Sequence, residues 1–227
     1  MKSTHIQPSL LKFLKDIKKN NNRDWFAKNK PRYQEELEKF KVFANTFLDE
    51  MNKMDEIETL KIYRIYRDTR FSKDKTPYKF HFAGGFKRAT VRRRGGYYFH
   101  FEPGGGSFLA GGFWSPNSPD LKRIRQEIEM DDKPLRKILK SASFKKNFGE
   151  LKGTKVSTAP RGFAKDHPAI DLLRHKQFIV YRNFSDKEII DTKFLKEAIK
   201  TFKAIRPFFD YMSEVLTTDL NGVSIID

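Results

Sequence analysis

Between Ser9 and Lys19 the apolar residues Leu10, Leu11, Leu14 and Ile17 recur at the spacing of one helix face. Asn20-Asn21-Asn22 ends that pattern, because Asn side chains favour turns. Asp24-Trp25-Phe26 then reads as a short connection, and Pro31 suits the first turn of a longer helix. The inner stripe of that helix is Tyr33, Leu37, Phe40, Ala44, Phe47, Leu48 and Met51, and Trp25 and Phe26 are expected in the core beside it.

The period then changes from helix-like to strand-like. Residues 61–67 are β-branched, aromatic and basic and predict a strand; residues 78–87 predict a second. Arg92-Arg93-Arg94-Gly95-Gly96 reads as a turn. From Tyr97 to Glu102 the alternation puts Tyr97, Phe99 and Phe101 on one face and Tyr98, His100 and Glu102 on the other. Pro103-Gly104-Gly105-Gly106 is a tight turn, and Ser107 to Trp114 returns as the next strand of an antiparallel meander.

Helices resume after it. Ser118 is placed as an N-cap before Pro119, with Leu121, Ile124 and Ile128 facing inward. Leu135, Ile138 and Leu139 mark a second segment, and Phe144 and Phe148, closed by Gly149, a third. Asp166 is expected to cap a short helix through Arg174, and Gln177 to Arg182 forms a late strand. Ser185 and Glu188 have capping-box spacing. Phe194 to Leu216 is a long amphipathic helix with an expected kink at Pro207. Helices, then strands, then helices predict an α+β fold. The expectation is a single domain over 1–227, with its core at about 9–216 and a mainly antiparallel sheet of about five to six strands flanked by N- and C-terminal helices.

Composition narrows the chemistry. The chain has no cysteine, which excludes disulfides, thiolate catalysis and cysteine-bound metals and makes a reducing, cytoplasmic location the expectation. No apolar run approaches the roughly 20 residues of a membrane span, and the N-terminus lacks the apolar run of a signal peptide. The net charge is +17, and residues 61–100 alone carry +10 of it. Charge that concentrated focuses an attractive field for anions.

Part of that excess lies in Tyr63–Lys79, where six basic residues accompany two aspartates and three tyrosines. Arg67, Arg70, Lys73, Lys75 and Lys79 could gather on one rim of the sheet, with Arg forks suited to phosphate or carboxylate. The alternative is structural: Arg67–Asp68 and Arg70–Asp74 pairs bracing a long loop. Tyr98, His100 and Glu102 share a strand face, and a His–Glu pair can move protons or ligate a metal. His81 on a neighbouring strand could add a third group. The spacing matches no recognised metal motif, so no metal or other cofactor is expected. His167, between Asp166 and Pro168, is a third catalytic candidate beside His100 and Glu102. Gly104-Gly105-Gly106-Ser107 matches neither the Walker nor the dinucleotide pattern and reads as a hairpin turn.

Four ordered motifs carry a resemblance. They are Asn20-Asn21-Asn22-Arg23-Asp24-Trp25-Phe26 with Asn29-Lys30; Arg67 through Lys79; Tyr97 through Gly104 running on to Gly111-Gly112-Phe113-Trp114; and Pro160-Arg161-Gly162-Phe163 with Asp166-His167-Pro168 and Leu172-Leu173. Together they make most of residues 9–216 similar to a family of conserved hypothetical proteins, the domain of unknown function 2461. That resemblance implies no catalytic residue, so the expected roles come from the residues themselves.

Three function classes follow. The favoured one is an anion-binding module, its basic rim (Arg67, Arg70, Lys73, Lys75, Lys79 and Arg92 to Arg94) with Tyr98 holding a phosphorylated small molecule or a nucleic-acid backbone. The second is an enzyme for an anionic substrate, with His100 and Glu102 exchanging protons. The third is a protein-interaction domain using aromatics such as Trp114 or Tyr98, with no membrane partner.

Overall fold

The computed structural model describes residues 3–226. It is α+β, as the pattern predicts, with five strands in one antiparallel sheet ordered β1-β2-β3-β4-β5: β1 (Ile57–Ile62), β2 (Phe82–Arg88), β3 (Gly96–Phe101), β4 (Ser107–Phe113) and β5 (Phe178–Phe184). The chain divides into two compact units. The first takes in the chain up to Lys87, Tyr98–Leu109 and Asn183–Lys200; the second takes in Arg88–Tyr97, Ala110–Arg182 and the chain from Thr201 onward.

In the first unit, α1 (Pro8–Lys19) opens on a proline and buries Leu10, Leu11, Phe13, Leu14 and Ile17. Residues 23–28 are not a plain connection. They form a short helix, α2 (Arg23–Lys28), because the Asn22 side chain accepts a hydrogen bond from the Trp25 amide at 2.9 Å and caps it. Phe26 is buried there, whereas Trp25 is half-buried. The long helix α3 (Lys30–Met51) lays Phe40, Phe43 and Phe47 against the sheet. Phe40 meets Phe82 at 5.1 Å between ring centroids, Phe47 meets Phe86 at 5.1 Å, and Phe43 meets Phe101 at 5.6 Å. Tilted and edge-on pairs at these distances add specific geometry to apolar burial. One face of β3, Phe99 and Phe101, is thus committed to the core.

The first two strands are displaced from their predicted places. β1 begins at Ile57 and ends at Ile62, and β2 begins at Phe82. Between them the chain pairs once more at Tyr66 and Tyr78, then opens into the basic loop. Asn21 closes the side of Tyr78 turned away from Tyr66: its side-chain amide donates to the Tyr78 carbonyl (2.9 Å) and its oxygen accepts from the Tyr78 amide (3.1 Å).

In the second unit, α4 (Ser118–Met130) is capped by Asn117, one residue before the expected Ser118, through the Asp120 amide at 2.8 Å. α5 (Lys133–Lys140) and α6 (Ala142–Phe148) follow, the latter stopped by Gly149 at φ +71°. α7 (Ile170–Leu173) starts after Ala169, so Asp166 does not cap it. The Ser185–Glu188 capping box forms at α8 (Asp186–Ile189) as predicted, in the first unit. α9 (Phe194–Val215) runs on as one helix through Pro207. Its second-unit part packs Phe202 and Phe209 on Tyr97 at 4.8 and 4.9 Å. Among the described residues no helix is long and apolar enough to cross a membrane.

Candidate functional site

The face of β3 opposite the phenylalanine core carries Tyr98, His100 and Glu102, all in the first unit. The strand pleat lines them up, and Ser107 fixes the end of the line: its hydroxyl accepts from the Glu102 amide and donates to the Glu102 carbonyl, both at 3.0 Å. The Tyr98 hydroxyl lies 3.2 Å from His100 Nδ1, and His100 Nε2 lies 3.3 Å from Glu102 Oε2. A Tyr98 hydroxyl donating to Nδ1, with Nε2–H donating to Glu102, satisfies all three groups.

His81 enters from the residue before β2. Its ring centroid is 4.0 Å from that of His100, and Phe108 of β4 stacks on the other side of His100 at 4.7 Å. His100 is therefore buried at 8% exposure, and His81 is half-buried. One potential ligand atom each from His81, His100 and Glu102 lie within 4.8 Å of one another.

The electrostatics follow from burial. Burial, then His100, Lys79 and Arg67, push the His81 imidazole down to about 3. Burial also lowers His100, against the opposing pull of Glu102. Burial and Tyr63 raise the Tyr98 hydroxyl to about 12. Near neutral pH the face thus presents two neutral imidazoles and a protonated phenol. Lys79 is lowered by burial and by its cationic neighbours Arg64 and Arg67.

The basic loop is partly a brace. Its pairing is the reverse of the expected one: Arg67 bonds Asp74 and, at 2.6 Å, the Thr76 hydroxyl, while Arg70 forks onto Asp68 at 3.0 and 2.6 Å. Asp74 is pulled down to about 2, first by the Thr76 amide and then by Arg67. The Lys75 ammonium donates to the Thr69 carbonyl at 3.0 Å. Lys73 and Lys79 have no ion pair among the described residues. Of the five expected rim residues, Arg67 and Lys79 act on the histidine pair; Arg70 and Lys75 are turned back into the loop. Lys18 reaches the site from α1, 3.7 Å from Glu102 and 4.6 Å above the Phe80 ring, a contribution that sequence spacing does not disclose.

The chain belongs to the conserved hypothetical protein family DUF2461. The family model matches residues 9–211, which includes every residue of the site just described. Comparison with curated proteins and with solved structures finds no match.

Three other candidates resolve locally in this DUF2461 chain. His167 Nδ1 accepts from the Ala169 amide at 3.1 Å, tying the turn ahead of α7. Gly104 and Gly105, at φ +86° and +79°, aim their amides at the Asp186 carboxylate (2.9 and 3.1 Å), so the glycine turn is an anion cradle filled by the protein's own side chain. In the second unit Arg94 pairs with Asp120.

Proposed function

We propose that the Tyr98–His100–Glu102 face is the binding site for a small phosphorylated ligand. The observation that carries this is the setting of Lys79. Its charged neighbours are Arg64 and Arg67, it has no ion pair among the described residues, and it acts electrostatically on both His81 and His100. Unneutralised cations beside half-buried polar groups are what a bound anion would stabilise. Arg67 is held by Asp74 and Thr76, so its guanidinium is already oriented.

A small ligand fits better than a nucleic-acid backbone. The cations that act on the histidines are few and local, whereas Arg70 and Lys75 at the loop tip are engaged within the loop. Calorimetric titration of the metal-free protein with pyrophosphate, beside filter binding of single- and double-stranded DNA and RNA at two salt levels, tests it. Saturable pyrophosphate binding with weak, steeply salt-dependent nucleic-acid retention is expected. Tight nucleic-acid retention without pyrophosphate binding would overturn the small-ligand assignment.

A further inference from the structure

We infer that His81, His100 and Glu102 form a binding site for a divalent first-row transition metal, held by two imidazoles and one carboxylate with open positions for water or substrate. The inference adds a metal to the face assigned above to a phosphorylated ligand, and in naming how that ligand would be held it rests on that reading.

The geometry argues for it in three steps. First, the donor set is the right chemistry: two His and one carboxylate recur as ligands of catalytic zinc and of non-haem iron. Second, the spacing is close to what a metal imposes. Metal–ligand bonds of about 2.0–2.2 Å in a tetrahedron put donor atoms about 3.4 Å apart. His100 Nε2 and Glu102 Oε2 are already 3.3 Å apart, and all three donors lie within 4.8 Å. The Glu102 side chain is 22% exposed, so the cluster is open to solvent on that side. Third, an outer hydrogen bond is in place. With Nε2 on a metal, His100 Nδ1–H donates to the Tyr98 oxygen 3.2 Å away, fixing tautomer and ring plane. The Phe108 ring on one side of His100 and the His81 ring on the other hold that plane further.

Two features of the surroundings shape the site. Lys18 faces the other carboxylate oxygen of Glu102, Oε1, at 3.7 Å and leaves Oε2 to a metal. Lys79 and Arg67 oppose a bare cation, and a bound anion would offset them. A metal so placed would polarise a phosphoryl oxygen or activate water on the open side.

The test uses metal-free full-length protein titrated with Zn2+ in phosphate-free buffer, and with Co2+ while its visible absorption is followed. One equivalent is expected, with a Co2+ spectrum of imidazole and oxygen ligation. His81→Ala and Glu102→Ala should each weaken Zn2+ at least about 10-fold, Tyr98→Phe about 10-fold or more as an outer-shell loss, and His167→Ala not at all. Circular dichroism checks the fold of each variant, and a rise in wild-type Tm with Zn2+ provides a readout that needs no variant. No binding by the wild type, or binding unchanged in both His81→Ala and Glu102→Ala, overturns the metal site. Because the pyrophosphate titration is run without metal, either assignment can fail while the other stands.

Discussion

The imidazole of His81, one residue before β2, lies 4.0 Å from that of His100 on β3, centroid to centroid. Two rings that close and that buried resist protonation together, so each keeps a nitrogen lone pair near neutral pH. Among the described residues the pair's acidic partner is Glu102, while Lys79 and Arg67 stand beside it. This juxtaposition, not the total charge of the loop, is what marks the face as the candidate site.

In the second unit Arg88 is a buried cation, with its side chain 1% exposed, bonded to Asp210 at 2.9 Å, the Arg94 carbonyl at 2.9 Å and the Ser213 hydroxyl at 3.3 Å. Arg88→Ala removes those bonds and leaves a void over Phe209, whose ring the guanidinium covers at 5.2 Å. Chemical denaturation should show a loss of about 3 kcal/mol. A change under about 1 kcal/mol would mean that the network is dispensable.

Gly112 sits at φ +136°, and a Cβ there would come 2.2 Å from the Phe178 carbonyl of the paired strand. Gly104 also has positive φ (+86°), but its Cβ would meet nothing within 4 Å. Gly112→Ala is therefore expected to cost more than about 3 kcal/mol, and Gly104→Ala only about 1 kcal/mol from its backbone conformation alone. Equal melting temperatures for the two variants would contradict this.

Much of the fold is written in local pattern. The alternation of Tyr97 to Glu102 assigns both faces of β3 without any knowledge of what covers them. The cap at Ser185 and the stop at Gly149 are equally local. What failed depends on distant partners. The contact that closes the outer side of Tyr78 comes from Asn21, 57 residues away, which no window around Tyr78 can contain. Arg67 chose Asp74 over adjacent Asp68 because the loop's path, not sequence distance, brings their charges together. The site was legible as a line of polar residues on one strand face. The closeness of His81 to it was foreseeable only as neighbouring-strand pairing, and Lys18 carried no signal at all.

His175, in the second unit, donates from Nδ1 to the Gln177 carbonyl at 3.1 Å and is held down to about 4 by burial and by Lys155, against weaker pulls from Asp171 and Glu150. Between that value and the usual histidine value the unfolded chain binds a proton that the folded chain refuses. Stability is then lost as pH falls from about 6.5 towards 4, by up to about 3 kcal/mol, and the loss is complete below the folded value. Denaturation curves of wild type and His175→Gln at pH 7 and pH 4.5 isolate the effect. The wild type should lose more on acidification than the variant, and parallel losses would show that His175 does not titrate in this way.

The most direct measurement compares two cations of the same loop. Lys79 acts on the histidine pair and has no carboxylate partner among the described residues, whereas Arg70 is spent on Asp68. Pyrophosphate titration at low salt should show Lys79→Ala weakening affinity roughly 10-fold, about 1.4 kcal/mol, with Arg70→Ala within about 2-fold of wild type. Equal losses in the two variants, or no pyrophosphate binding by the wild type, would contradict an anion site on the Tyr98–His100–Glu102 face.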